Sequence, residues 1–587
     1  MNMRRDSPLG PQCLRCRRRR VKCDSTPETC QRCLRDGYDC PGYEKKTKWK
    51  VTTLKSMQKP KRRKTGSSSR KDSLSEPSSS CTITDSSEAS SPSSIHSTSN
   101  LVMPQSLILS TIEKEILEIQ SSIIYYNDTL VPDLAASPIP SETISIPMDI
   151  WLQKSPKVLH HIIVTIVTCH RLACNGSAHG VPSGKDESQL ADTLNRHRGR
   201  GLMQLQRILS NFWHGDGNPT VEEGQRKAKG FVTLVAVVML LTQEVQMSAT
   251  SLWSMHLEAA RSLVVQLGGV ETFWSRAPLH QGLFTLYIMI DIMSPPTSPA
   301  WSVNEGQQRE YLHSISKMEG FERRIIASFQ PCPLPILLGI VRTNVLRAVI
   351  HRRSNPSTVQ DLAGNEPIAQ NLALTLASLL RFDPVAWSRK VCTEYLNLTL
   401  PRRKDDSDEA AWTALASAYQ CASVIYLLRS TQQTSFAKGI GEDVDGLLHE
   451  QRTKCSTALS YLCRDLSRTK ASALWRFLSW PLFIYSYELV GWTDVESFTP
   501  SPSASVLDSD NEAALSSCGS QLPPKNIASA LRRLQRIARR LGANSLFDAV
   551  ELLEGVWRRR SEDAASTLDE AGLRWDDGFP GRCVFIV

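Results

Sequence analysis

Six cysteines fall within twenty-eight residues, "CLRCRRRRVKCDSTPETCQRCLRDGYDC" (13–40), at the spacing C-x2-C-x6-C-x6-C-x2-C-x6-C. They are Cys13, Cys16, Cys23, Cys30, Cys33 and Cys40. Thiols at this density ligate a soft metal or pair as disulfides. No apolar run follows the basic opening "MNMRRDSPLGPQ", so no secretory signal is expected. An intracellular, reducing setting then favours metal over three disulfides, with zinc the default. One tetrahedral zinc takes four thiolates and strands two. Two zincs need eight ligand positions, which six cysteines fill only if two of them bridge. "CLRCRRRRVKC" and "CQRCLRDGYDC" are two copies of C-x2-C-x6-C. Equivalent residues would therefore bridge, and Cys13 and Cys30, which open the two copies, are the expected pair. So short a segment has no apolar core, so the metals must supply its folding energy.

Charge says what such a module would touch. Arg17, Arg18, Arg19, Arg20 and Lys22 lie between the second and third cysteines, whereas the matching stretch of the second half, "LRDGYD", is net −1. Only the first half suits phosphate, and Arg or Lys can also donate to guanine O6 and N7. Residues 1–64 hold twenty Lys/Arg and six Asp/Glu (+14), so a chain of net +10 leaves −4 for residues 65–587. That is a nucleic-acid-binding head on a near-neutral body. No aromatic stacking platform accompanies the cluster, which argues against a single-strand or RNA binder.

Residues 13–43 resemble the fungal six-cysteine binuclear zinc cluster transcription factors. "RRRRVKCD" (17–24) fits that family's basic helix ending in Lys-Cys-Asp. The resemblance implies two Zn2+ per chain held by all six cysteines. It also implies a helix entering the major groove of double-stranded DNA at its C-terminal end, and recognition of CGG-like triplets at RNA polymerase II genes. Base reading falls to Arg19 and Arg20, phosphate contact to Arg17 and Lys22, and a solvated or phosphate-only role to Arg18. Two departures stand out. Arg20 occupies a position where the family most often has Lys, and a guanidinium fork is not a point charge. Pro27 sits three residues before Cys30, where the family's loop proline sits two before its fourth cysteine, so no cis bond is carried over.

The elements that must position and deliver this head follow in order. Residues 1–12 read as a disordered N-terminus and 13–43 as the zinc cluster. Residues 44–64 read as a basic linker whose "KPKRRK" (Lys59, Lys61, Arg62, Arg63, Lys64) is a nuclear localisation patch. Residues 65–104 form a disordered linker, with sixteen serines between 67 and 99. Next, Leu109, Ile112, Ile116, Ile119, Ile123 and Tyr126 follow heptad spacing. A parallel coiled coil, and with it a homodimer, is one reading. The first amphipathic helix of the following domain is the other, and fewer than three heptads favour it.

Residues 105–587 read as all-helical. Helices are expected at 225–246, at 251–274 with a stop at Gly268-Gly269, and at 281–293, 334–350, 369–381, 409–430, 446–467, 471–490, 525–541 and 545–560. Surface loops are expected at "SPPTSPAW" (294–301), "RRKDDSDE" (402–409) and 499–512. The length suggests several subdomain-scale bundles. The longest apolar run, 231–241, falls short of the ~20 residues of a membrane span, so no membrane partner is expected. "WSMHLEAARSLVVQLGG", "FTLYIMIDIM" and the ending "RWDDGFPGRCVFIV" resemble the regulatory domain of one branch of fungal transcription factors. That resemblance implies contact with the transcription machinery. The fold class is thus a small metal-stabilised zinc cluster module plus a large all-α regulatory domain, joined by a disordered linker.

Other chemistry is sparse. "GVPSGKD" (180–186) is one residue short of a phosphate loop. His160, His161 and His170, with Cys169 and Cys174, form no closed zinc set, so packing roles outweigh a second metal site. The ten remaining cysteines are scattered singly and suit buried apolar roles, with Cys463 and Cys518 the candidate oxidant sensors. No nucleophile elbow, dinucleotide fingerprint or carboxylate pair appears, so no enzyme is expected. The alternative is a helical ligand receptor or enzyme-like body tethered to chromatin by the cluster.

Overall fold

The computed structural model describes residues 16, 23, 30–36, 105–131, 146–174, 185–213, 222–247, 253–276, 280–354, 368–396, 406–431, 444–463, 473–492, 525–541, 543–565 and 575–579. The chain divides into two compact units, Met1–Leu74 and Ser75–Val587. The basic tract at 44–64, the serine-rich linker at 65–104 and the loop at 499–512 lie outside the described residues.

In the first unit, Cys16 is helical and a single turn, α1 (Gln31–Arg35), follows Cys30. Cys30 is extended (φ −74°, ψ 133°) and caps α1 through its sulfur, which accepts from the Cys33 amide. A cysteine thus takes the capping place that Ser or Asp usually fills.

The second unit is all-α among the described residues. α2 (Gln105–Tyr125) continues through a π-turn (Tyr126–Leu130) and packs on α4 (Lys157–Cys174), after the short α3 (Met148–Lys154). α4 pairs with α5 (Lys185–Trp213) and α6 (Glu222–Met247), and α6 with α7 (Trp253–Gln266). The helix expected within 251–274 stops at Gly268-Gly269 as expected, and a second helix follows. Gly268 (φ 102°) and Gly269 (φ 87°) take left-handed conformations that other residues avoid, and α8 (Gly269–Arg276) restarts in a new direction. α9 (Gln281–Met293) buries nine of its thirteen residues.

α10 (Glu305–Ser314) is capped by Asn304, whose side chain accepts from the Gln307 amide. α11 (Phe321–Ile326) leads to α12 (Leu334–Ser354), which packs against α10, α13 (Ile368–Arg381) and α15 (Asp406–Thr431). Between α13 and α15, α14 (Pro384–Lys390) starts with both of its preferred signals, Pro at the first turn and Asp383 capping two amides. α15 starts inside the stretch 402–409 that was expected as loop, because Asp406, Asp408 and Glu409 suit a helix N-terminus. It packs on α16 (Val444–Cys463) and α17 (Ser479–Trp492), and the hairpin of α18 (Lys525–Leu541) and α19 (Asn544–Ala565) closes over α17.

Two further expectations are overturned. Instead of separate bundles, a single continuous apolar core runs from Ile119 to Phe579. And "SPPTSPAW" is no surface loop: residues 294–300 are buried, with only Trp301 exposed. Its carbonyls are satisfied from inside, by Arg347 on Pro295 and Ser298 and by the Trp575 indole on Pro296. A proline-rich segment can be buried once its acceptors have donors.

Among the described residues, three helical windows are long and apolar enough to cross a bilayer: Ala228–Met247, Leu334–Arg353 and Glu409–Thr431. They lie within α6, α12 and α15, and 78%, 61% and 83% of them is buried against the rest of the body. No unbroken apolar run reveals them, because Thr and other polar residues interrupt each one.

Candidate metal centre and nucleic-acid interface

Four of the six predicted ligands are described, and they converge. The sulfurs of Cys16, Cys23 and Cys30 all lie within 4.8 Å of one another. Cys16 Sγ is 3.6 Å from Cys30 Sγ and 4.0 Å from Cys33 Sγ, and all four residues are buried in one cluster. A disulfide needs sulfurs about 2.05 Å apart. Zinc with bonds of about 2.3 Å sets neighbouring sulfurs about 3.8 Å apart at the tetrahedral angle. The observed separations straddle that value, so the donor set fits zinc.

Like Cys16, Cys30 reaches across the halves. It reaches the first-half sulfurs of Cys16 and Cys23, and it also accepts the Cys33 amide at 3.3 Å across its own half. That N–H points at a sulfur that would carry charge when ligating, which is a strong form of hydrogen bond. Cys13 and Cys40 lie outside the described residues, as do Arg17, Arg19, Arg20, Lys22 and the patch Lys59, Lys61, Arg62, Arg63 and Lys64.

The histidine and cysteine group on α4 does not converge as a metal set; among its members His170 and Cys174 meet, 3.7 Å apart. His160 Nε2 meets the Trp151 carbonyl at 3.0 Å, and His170 Nδ1 meets Tyr125 Oη at 3.0 Å. His161 faces a partner that sequence spacing gave no hint of: its Nδ1 lies 3.1 Å from Nδ1 of His197 on α5. His197 Nε2 in turn sits 3.0 Å from Glu118 on α2, and Glu115 is 3.8 Å from His161 Nε2. With neutral rings, one tautomer pair makes both hydrogen bonds: His161 donates from Nδ1, and His197 donates from Nε2 to Glu118. Burial first, then His197, lowers the His161 pKa to about 4, and burial likewise lowers that of His197. The group fastens α2 to the body.

Cys169 is buried, its thiol pushed up to about 12 by desolvation. Cys463 is also buried, with its pKa raised by desolvation, which argues against its expected oxidant-sensing role because the thiolate is the reactive form. Cys332, Cys421 and Cys455 are buried as expected, whereas Cys174 is exposed. Cys518 lies outside the described residues.

Comparison with known families agrees with both units. Residues 12–50 match the fungal Zn(2)-Cys(6) binuclear cluster domain, and residues 119–577 match the fungal specific transcription factor domain. No match was found among curated proteins or among solved structures. Both matching families are transcription factor domains, the first a zinc-binding, DNA-binding module. With a cysteine cluster at its head and the second domain spanning most of its length, the chain belongs to the fungal-specific transcription factor domain family and is a DNA-binding regulator of transcription.

Proposed function

We propose that the protein is a nuclear regulator of RNA polymerase II genes that reads CGG-like triplets in the major groove through a two-zinc head. The head is residues 13–43. The linkers are 44–64 and 65–104, and the helical body is 105–587. Cys13, Cys16, Cys23, Cys30, Cys33 and Cys40 hold the ions, with Cys13 and Cys30 shared between them. The observation that carries this reading is the convergence of Cys16, Cys23, Cys30 and Cys33, two from each half of the repeat, in one buried cluster.

The metals supply Lewis-acid cross-links that stand in for a core. The chain's own residues do the recognition. Arg19 and Arg20 donate to guanine edges, and Arg17 and Lys22 neutralise phosphate. Lys59, Lys61, Arg62, Arg63 and Lys64 serve nuclear import. The body contacts the transcription machinery, and its role is binding rather than catalysis.

A homodimer is part of this reading. Ile112 and Ile116 are 50% and 43% exposed on the same helix face whose Ile119 and Ile123 are buried in the core. The body thus covers Ile119 and Ile123 and leaves Ile112 and Ile116 for a second copy.

Selection of bound sites from random duplex DNA with the full chain tests this. A CGG-like triplet should emerge, singly for a monomer or twice at fixed spacing for a dimer. Affinity should fall steeply with salt, as phosphate contacts release counterions. Recovery of no motif, or of the same motif after Arg19 and Arg20 are both replaced by alanine, would refute it.

A further inference from the structure

The C-terminal segment Trp575–Phe579 is separated from α19 by residues 566–574 and returns into the centre of the body. It is a single 3-10 turn closed by the Phe579 amide on the Asp576 carbonyl at 3.0 Å. Trp575 and Phe579 are 3% and 1% exposed, whereas the Asp576 side chain is 39% exposed. Two aromatic anchors therefore point inward while the acid between them lies at the mouth.

The receiving surface comes from four distant elements. The Trp575 indole N–H donates to the Pro296 carbonyl at 2.8 Å, and Tyr487 Oη of α17 donates to the Trp575 carbonyl at 2.7 Å. The Trp575 ring sits 4.7 Å from Tyr487 and 5.4 Å from Tyr426 of α15, and Phe579 stacks 5.2 Å from Tyr487. Asp576 pairs with the guanidinium of Arg347 on α12, which is 2% exposed.

This surface is held in shape by contacts that do not involve the tail. Arg347 also donates to the Pro295 and Ser298 carbonyls. Tyr426 Oη donates to Asn344 at 2.9 Å, and Asn344 donates to the Ile292 carbonyl and to Gln308, both at 3.0 Å. Tyr487 stacks on Phe483, 6.1 Å away. A surface with a buried cation, aromatic walls and a carbonyl acceptor is how proteins recognise short peptides by anchor residues.

We propose that this groove is a binding site for a short aromatic and acidic peptide of the pattern Trp-Asp-x-x-Phe, filled in cis by the chain's own tail as a separable ligand. The indole anchors the peptide, the carboxylate answers Arg347, and the second aromatic ring closes the contact. The site is independent of the zinc cluster and of DNA recognition.

The test uses the full chain with a site-specific protease sequence placed between residues 566 and 574. After cleavage and removal of the tail, the body should keep its helical circular dichroism and bind a labelled peptide of residues 570–587 saturably, by fluorescence anisotropy. The Asp576→Ala peptide should bind at least tenfold more weakly, and the Trp575→Ala peptide should not compete. Loss of helical signal on cleavage, a tail that excess peptide cannot displace, absence of peptide binding, or equal binding of all three peptides would each overturn the proposal.

Discussion

On the proposed scheme Cys30 is a shared thiolate and Cys16 an ordinary one. Both reach across the halves, Cys16 to the sulfurs of Cys30 and Cys33 and Cys30 to that of Cys16, so metal count is what tells them apart. Cys30→Ser should therefore cost both ions and abolish DNA binding, while Cys16→Ser leaves the second ion partly ligated. Native mass spectrometry counts the difference, and equal metal loss in the two variants would argue against sharing. Arg19→Ala or Arg20→Ala should cost ~1–3 kcal/mol at the preferred triplet and relax specificity there. Lys22→Ala should weaken all sequences alike. A changed preferred triplet in Lys22→Ala, read by site selection, would reverse those roles. The cysteines were legible because ligand count and spacing are themselves the chemistry. The arginine roles were legible only as charge plus resemblance, since a base contact depends on where each side chain meets the groove.

Helix α2 shows what a period cannot say. The heptad spacing was visible, but whether the body covers it depends on partners nearly eighty residues or more away. Glu115 meets Arg200 at 2.6 Å, and Glu118 meets Arg196 at 2.8 Å and His197 at 3.0 Å. Both imidazoles of the His161–His197 pair are held neutral, with pKa values below those of the released state near 6.5. Burial drives both shifts; Arg200, Arg196 and His160 reinforce them, while Glu115 and Glu118 oppose them. The sign follows directly: the released state takes up protons that the seated state refuses. Seating of α2 is thus fully present above about pH 6.5 and is lost as pH falls toward 4. Hydrogen exchange, corrected for intrinsic rates, should show roughly tenfold lower protection of residues 115–123 at pH 5 than at pH 7.5. Equal or greater protection at pH 5 would contradict this. The buried 294–300 segment teaches the same lesson: its proline and serine content reads as loop, and its donors, Arg347 and Trp575, lie far off in sequence.

Across the whole molecule, one apolar core joins Ile119 to Phe579, although chain length alone suggested several. Helix types and approximate bounds were readable from periodicity, but the merging of bundles was not, because it depends on how faces meet. The body should unfold in urea as one cooperative transition. Gly339 lets α12 approach α13 closely; an added Cβ would fall 2.4 Å from Leu379 Cδ2. Gly339→Ala should lower stability by ~1–3 kcal/mol through overpacking, shifting the urea midpoint without changing the slope. Two separated transitions in the body would mean that the core is not continuous.

The most direct measurement is zinc per chain, taken alongside binding to the selected DNA site before and after chelation. Two equivalents of zinc should be found, and chelation should abolish site-specific binding while readdition of zinc restores it. One equivalent or fewer, or undiminished binding by the stripped protein, would contradict a head braced by two shared ions.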